Sequence, residues 1–349
     1  MAIQFMDNYK GYGTNKSYML DGLPYAGLDG VSFGTDPDPG ASGNVIFIGY
    51  TGGSNNNNDF RIALPTPRIS IGIAQRWFLD QLPADISKRP VIADFRDVNN
   101  NVRFCSVIVE TNGSLSIYDS GMTQRATTGS PVISPRSWFH YECFYHAGTG
   151  AYEVRIEGVT VLTGSHSSLI QGTIYQVGCA GRINAVVPIN AAVKDLVIWD
   201  TSGSQNNSFT GTVTVYRLPV NSDVSSGWTR SSGSSDYALL NESPPDDSGY
   251  ISADASLPAP SIMGMDNLPG TVVGVRAVQT MVRAKKSDGG DCTMVVGLVS
   301  NGTTGNGASH NVTTASKVWF DVQELDPDTA GLWSPIAVNS VQLKINRTV

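Results

Sequence analysis

The sequence predicts an all-β protein: two antiparallel β-sandwich (jelly-roll-like) domains in tandem, with one short helix near the C-terminus. Three observations lead there. Apolar residues recur with period two in stretch after stretch, as strands require, because successive side chains point to opposite sheet faces. Turn-forming clusters separate these stretches, at 36–40, 52–59, 99–101, 112–113, 148–150 and 203–208. Helical periodicity is nearly absent. With 37 Gly and 18 Pro in 349 residues the chain is turn-rich but far from collagen-like, and 40% hydrophobic content can fill two cores.

The elements follow in order. Ile69, Ile71 and Ile73 alternate with Arg68, Ser70, Gly72 and Ala74, which predicts a half-buried strand. Asn112–Gly113, between VRFCSVIVE and SLSIYDS, predicts a hairpin, since both residues tolerate positive φ. Phe139, Tyr141, Cys143 and Tyr145 predict another half-buried strand. Its opposite face, with His140, Glu142 and His146, is expected to be solvated or to face another protomer. Tyr152, Val154 and Ile156 continue the pattern. Near the end, Ser334 is placed to cap a helix with Pro335 in its first turn, running to about Ser340. Val341, Leu343 and Ile345 then predict a final strand. A boundary falls where TGTVTVYRL gives way to the polar VSSGWTRSSGSSDY. It divides the chain into a domain over 1–218, a linker over 219–227 and a domain over 228–349, with residues 1–25 read as an extended arm.

Composition removes several functions. Charged residues make up 15% and the net charge is −7, so the electrostatic footprint of a nucleic-acid partner is missing. No apolar run is long enough for a membrane span, and the N-terminus lacks the basic-then-apolar pattern of a secretory signal. Cys105, Cys143, Cys179 and Cys292 lie far apart with no CxxC pair, so they read as mostly buried thiols; spacing leaves a Cys105–Cys143 disulfide open.

No catalytic residue and no cofactor is expected. The nearest approach to a glycosidase carboxylate pair is Glu153–Glu157, where Arg155 occupies the middle and a Glu–Arg–Glu ladder is the simpler account. Calcium is the ion that acidic loops would suit. Its candidates are Asp246, Asp247, Asp288 and Asp291, with Asp36, Asp38, Asp94 and Asp97 behind them, although Asp beside Gly or Pro is ordinary turn chemistry. Trp138, His140 and Trp199 are the candidate contacts for a glycan or a protein partner, because an aromatic face stacks on a sugar ring.

Two resemblances sharpen this picture. RISIGIAQRWF, RPVIADFRD, VRFCSVIVETNGSLSIYDSG, SWFHYECFYHAGTGAYEVRIEGVTVL and AAVKDLVIWD resemble, in order, the strands of the concanavalin A-like (laminin-G-type) jelly roll, over roughly residues 25–218. WTRSSGSSDYALLNESPPDDSGYIS, TVVGVRAVQTMVRAKKSDGG and LDPDTAGLWSPIAVNSVQLKI are similar to C-terminal regions of tailed-bacteriophage structural proteins. The second resemblance implies a non-enzymatic virion protein in the tail or a tail appendage. It would act through protein–protein interfaces with copies of itself and other virion proteins, away from nucleic acid and membrane. The alternatives are a capsid decoration protein on the phage head and a carbohydrate-binding module that recognises a host surface glycan.

Overall fold

The computed structural model describes residues 2–10, 12, 19, 21–29, 31–35, 44–48, 59–86, 89–97, 102–180, 191–245 and 247–349. The chain divides into two compact units: Ala2–Lys10 with Pro24–Val215, and Gly11–Leu23 with Tyr216–Val349.

In chain order the first unit contains β1 (Ile3–Asp7), β2 (Tyr25–Asp29), β3 (Val31–Thr35), β4 (Asn44–Ile48), β5 (Asp59–Arg68), β6 (Ser70–Leu79), β7 (Val91–Arg96), β8 (Arg103–Val109), β9 (Leu115–Asp119) and β10 (Gln124–Thr127). It continues with β11 (Trp138–His146), β12 (Ala151–Ile156), β13 (Val159–Ser165), β14 (Ile174–Ala180) and β15 (Ala191–Trp199). An eight-stranded sheet runs β13-β12-β11-β6-β15-β4-β3, with β1 also paired to β15. A seven-stranded sheet runs β10-β9-β8-β7-β14-β5-β2. Period-two patterning puts one row of each strand between the sheets. Tyr141, Cys143 and Tyr145 of β11 point there: Tyr145 packs on Phe95 of β7 at 5.1 Å, and the Tyr141 hydroxyl donates to the Ile92 carbonyl at 2.5 Å. Pairing the buried hydroxyl removes the cost of placing a tyrosine in the core. Gly113, at φ +84°, closes the hairpin between β8 and β9, where a side chain would strike the Ile133 carbonyl.

The second unit contains β16 (Val220–Ser225), β17 (Thr229–Arg230), α1 (Tyr237–Leu240), β18 (Ile251–Ser252), β19 (Ser261–Met265), β20 (Val278–Ala284), β21 (Thr293–Ser300), β22 (Thr303–Asn311), β23 (Lys317–Gln323), α2 (Pro335–Ser340) and β24 (Gln342–Arg347). A five-stranded sheet, β16-β19-β24-β21-β22, is accompanied by the β20–β23 and β17–β18 pairs. Met263, Met294, Val296, Leu298, Trp333, Leu343 and Ile345 form its core, and Val278, Val282 and Trp319 of the β20–β23 pair pack against it. Ser334 caps α2 by accepting the Ala337 N–H at 3.1 Å, and Leu343 and Ile345 of the final strand are buried as their alternation requires. The outer edge of β22 is guarded by side chains of β23. Asp321 accepts the Ala308 N–H at 2.9 Å, and Gln323 donates to the Gly305 carbonyl at 2.9 Å.

Several expectations change. Residues 220–225 of the expected linker are β16, paired with β19. The described part of the expected arm is built in: β1 pairs with β15, and Asp21 belongs to the second unit, where its carboxylate meets Arg283 at 2.8 Å and its carbonyl takes the Val318 N–H. A second helix, the single turn α1, lacks the length to give a periodic signal. The outer face of β11 is covered at His140 and Glu142, which are buried, and half-covered at Trp138, Phe144 and His146, because residues 200–215 lie over it.

Candidate functional site

On the seven-stranded sheet, alternation sets the residues flanking Phe95 and Cys105 outward. The ladder then aligns a polar row across it. Arg61 (β5) pairs with Gly178 (β14), Gly178 with Asp94 (β7), Asp94 with Ser106 (β8), Ser106 with Tyr118 (β9), and Tyr118 with Gln124 (β10). Gly178 has no room for a side chain, since an added Cβ would overlap the Phe60 carbonyl.

Asp94 is fully buried and saturated. Its Oδ2 meets Arg96 Nη2 at 2.6 Å and Arg103 Nε at 3.2 Å, and its Oδ1 accepts the Ser106 hydroxyl at 3.2 Å. Two guanidinium groups on one carboxylate leave no electrostatic place for a cation, so this aspartate is not a calcium ligand here. At the next pleat Arg89 Nη1 meets Glu110 Oε2 at 2.7 Å and the Tyr118 oxygen at 2.5 Å, while the Tyr118 hydroxyl donates to Glu110 Oε1 at 2.9 Å. Burial pushes the Tyr118 hydroxyl above its ordinary pKa, so it stays a donor at neutral pH. The row ends at the exposed Gln124, whose amide donates to Ser116 at 3.3 Å.

The outer face of the eight-stranded sheet holds the three candidate contact residues, and their environments differ from expectation. Trp199 is 1% exposed, stacked on Phe144 at 5.6 Å and 7°, with Phe209 against it at 5.4 Å. His140 is 0% exposed. Trp138 is half-buried, and Lys194 Nζ sits 4.0 Å above its ring. His140 and Trp199 are therefore interior groups, beneath a segment that carries no strand periodicity and so gave no sign of covering them.

Glu142 lies beside them, fully buried. Its Oε1 accepts Thr210 N–H at 2.7 Å, the Thr210 hydroxyl at 3.1 Å and Gly211 N–H at 3.0 Å. Burial, with the Arg76 charge across the ladder, lowers His140 to about 4, so its imidazole is neutral at pH 7. Asp195, at φ +58°, is raised by burial and accepts the Val215 N–H at 3.0 Å. Among the described residues no group of three or more His, Cys, Asp or Glu could hold a metal ion.

The remaining candidates resolve into local structure. Asp247 pairs with Arg283 at 3.1 Å, Asp288 closes a turn on the Gly290 N–H at 3.0 Å, and Asp291 is exposed. Asp246, Asp36 and Asp38 lie outside the described residues. Glu153 pairs with Arg155 at 2.7 Å, but Glu157 leaves the ladder: it turns at φ +48° and accepts the His140 backbone N–H at 2.7 Å. Cys105 and Cys143 are free, buried thiols and Cys292 is a half-buried one.

The motifs of the second unit are also structural. Arg230 of WTRSSGSSDY pairs with the fully buried Asp236 at 2.7 Å and with Asp223 at 3.3 Å, and Asp223 accepts the first N–H groups of α1. Asp326 of LDPDTAGLW accepts the Asp328 N–H at 3.0 Å, and the Trp333 indole donates to the Gln323 carbonyl at 3.0 Å. Among the described residues no helix is long and apolar enough to cross a membrane.

No protein-family model and no curated protein matches the chain. Similar solved structures include a sialidase (TM-score 0.40, 10% identity, 56% of this chain and 18% of the sialidase). They also include the carbohydrate-binding module CBM66 from Bacillus subtilis (TM-score 0.35, 11% identity, 51% of this chain and 96% of the module). A third is a lectin II from Ulex europaeus (TM-score 0.39, 10% identity, 56% of this chain and 98% of the lectin). At these scores and identities they say nothing of what this chain binds.

Proposed function

We propose that the chain is a non-enzymatic recognition protein whose first sandwich binds carbohydrate along the outer polar row of its seven-stranded sheet. The observation behind this reading is the row itself, in which Arg61, Asp94, Ser106, Tyr118 and Gln124 align across the sheet while Arg96 and Arg103 fix Asp94. Five strand spacings separate β5 from β10, about 24 Å at the usual inter-strand distance. Along that length Arg61 and Arg103 are partly exposed and Gln124 is exposed, so guanidinium groups and an amide are presented to a polyhydroxylated chain while the buried Asp94 holds Arg103 in place. Side chains already held by ion pairs lose little freedom on binding.

The setting we propose is a tailed-bacteriophage particle. The three stretches that resemble phage structural proteins all belong to the second sandwich, which would join the particle at its tail or an appendage, through other virion proteins or further copies of this chain. The first sandwich would then meet a glycan on the host surface.

A glycan array probed with the full chain tests the carbohydrate reading. The best polysaccharide is then titrated against Arg103→Ala and Gln124→Ala, with circular dichroism as the folding control. At least a tenfold loss of affinity in both variants is expected. No glycan bound by the wild type, or full affinity in both folded variants, overturns it. Immunogold labelling of purified particles tests the setting: gold on the tail supports it, gold over the head makes this a decoration protein, and a chain absent from particles removes it.

A further inference from the structure

We propose that Glu142 is a latch that holds residues 200–215 across the outer face of the eight-stranded sheet, and that mild acid opens it. The segment forms neither helix nor strand, so no backbone ladder keeps it in place. Its two ends are tied down separately, by Arg68 on Asp200 and Ser70 on Thr201 at one end and by the Asn8 amide on the Val215 carbonyl at the other, and Glu142 holds the stretch near the second end. Glu142 Oε1 takes three donors from Thr210 and Gly211 at 2.7–3.1 Å, and Asp195 takes Val215 at 3.0 Å. Between these anchors the Phe209 ring sits against Trp199, with the Arg155 guanidinium 3.7 Å from its centre.

The closed arrangement is poised. Beneath the segment, neither ring nitrogen of His140, nor Glu142 Oε2, nor Arg76 Nε has a protein hydrogen-bond partner. Buried polar atoms without partners are costly, and opening returns them to water. Residues 202–215 contain no titratable side chain. The charges facing His140 therefore come from the sheet: Arg76 on β6, Lys194 and Asp195 on β15, Glu142 on its own strand, Arg155 on β12, and Glu157 at the turn after it.

Arg76 is the cation directly across the ladder, so a proton on His140 in the closed state meets both burial and a like charge. In the open state the imidazole is hydrated and, with Arg76 still across the ladder but screened by water, titrates closer to its ordinary 6.5, against about 4 when covered. Proton linkage then raises the open-to-closed ratio between pH 7.5 and pH 5, by about 30-fold at most. Opening uncovers the stacked Phe144–Trp199 pair and the Glu142 carboxylate.

Amide hydrogen exchange on the full chain at pH 7.5 and pH 5.0, corrected for intrinsic rates and accompanied by circular dichroism, tests this. Protection over 209–215 is expected to fall at least threefold, and about 30-fold at most, at pH 5.0 while β6, β11 and β12 keep theirs. Glu142→Gln is expected to lower that protection at least tenfold at pH 7.5. His140→Gln is expected to keep the segment protected at pH 5.0. Equal protection at the two pH values, or loss only together with unfolding of the whole sandwich, overturns the proposal. So does a Glu142→Gln chain as protected as the wild type. Should a variant not fold, the wild-type pH pair still decides.

Discussion

Gly72 and Trp199 share one volume: the indole lies across the glycine so closely that a Cβ added there would fall among the atoms of its six-membered ring. Gly72 is the ladder partner of both Trp199 and Phe144, on the strand between theirs. The missing side chain is what lets the two aromatic rings meet above β6 and stack.

Gly72→Ala is therefore expected to cost more than an ordinary strand substitution, because the indole must leave its place. Overpacking of this kind destabilises by about 1–3 kcal/mol. Urea unfolding followed by fluorescence would show the lower midpoint, and a change confined to a few tenths of a kcal/mol would contradict the packing described.

Stability is expected to fall on acidification. The sign follows from His140, whose folded pKa of about 4 lies below its ordinary 6.5. The unfolded chain then binds the proton first, so the contribution is complete above pH 6.5 and is lost as pH falls through about 4. The shift is worth about 3 kcal/mol in all. Denaturant titrations at a series of pH values should show the slope, and His140→Gln should flatten it.

Removing Arg230 is expected to unsettle the second sandwich, since Asp236 is fully buried and would lose the guanidinium it meets at 2.7 Å. Arg230 is itself partly exposed, which reduces the effect to about 2–3 kcal/mol for Arg230→Met. Replacing both residues with apolar ones should recover much of the loss.

Ser334→Ala is expected to cost about 1 kcal/mol, the usual worth of an N-cap whose oxygen accepts a helix N–H. Thermal unfolding of the full chain would register it. Ser334→Asp, which caps equally well, should not differ from the wild type.

Thiol labelling should separate the cysteines. Burial pushes the Cys105 and Cys143 thiols up, away from the reactive thiolate, whereas Cys292 is half-buried. In the native chain iodoacetamide should reach Cys292 long before Cys105 or Cys143, read by peptide mass.

What could be read from the residues was the chemistry that acts over a few positions. The Asn112–Gly113 hairpin and the Ser334–Pro335 helix start are set by neighbours in sequence, and both stand where the sequence puts them. Alternation along β11 located the strand, but one strand's periodicity reports only its own two faces. It could not say that Thr210, 68 residues away, would bind Glu142 and cover His140. The polar row was hidden for a related reason. Asp94, Ser106 and Tyr118 align through consecutive hairpins, but Arg61 and Gly178 join them only because β14 and β5 insert beside β7.

The guarded edge of β22 bears on how copies of this chain could associate. An incoming strand would find the Ala308 N–H already committed to Asp321 and the Gly305 carbonyl committed to Gln323. Displacing a carboxylate from an amide to gain one neutral ladder bond returns little. Growth of the sheet from chain to chain is disfavoured at this border, as guarded edges generally disfavour strand addition. At this border, contact between copies would instead rest on side-chain surfaces, with a geometry fixed by their shape rather than by a shared backbone ladder.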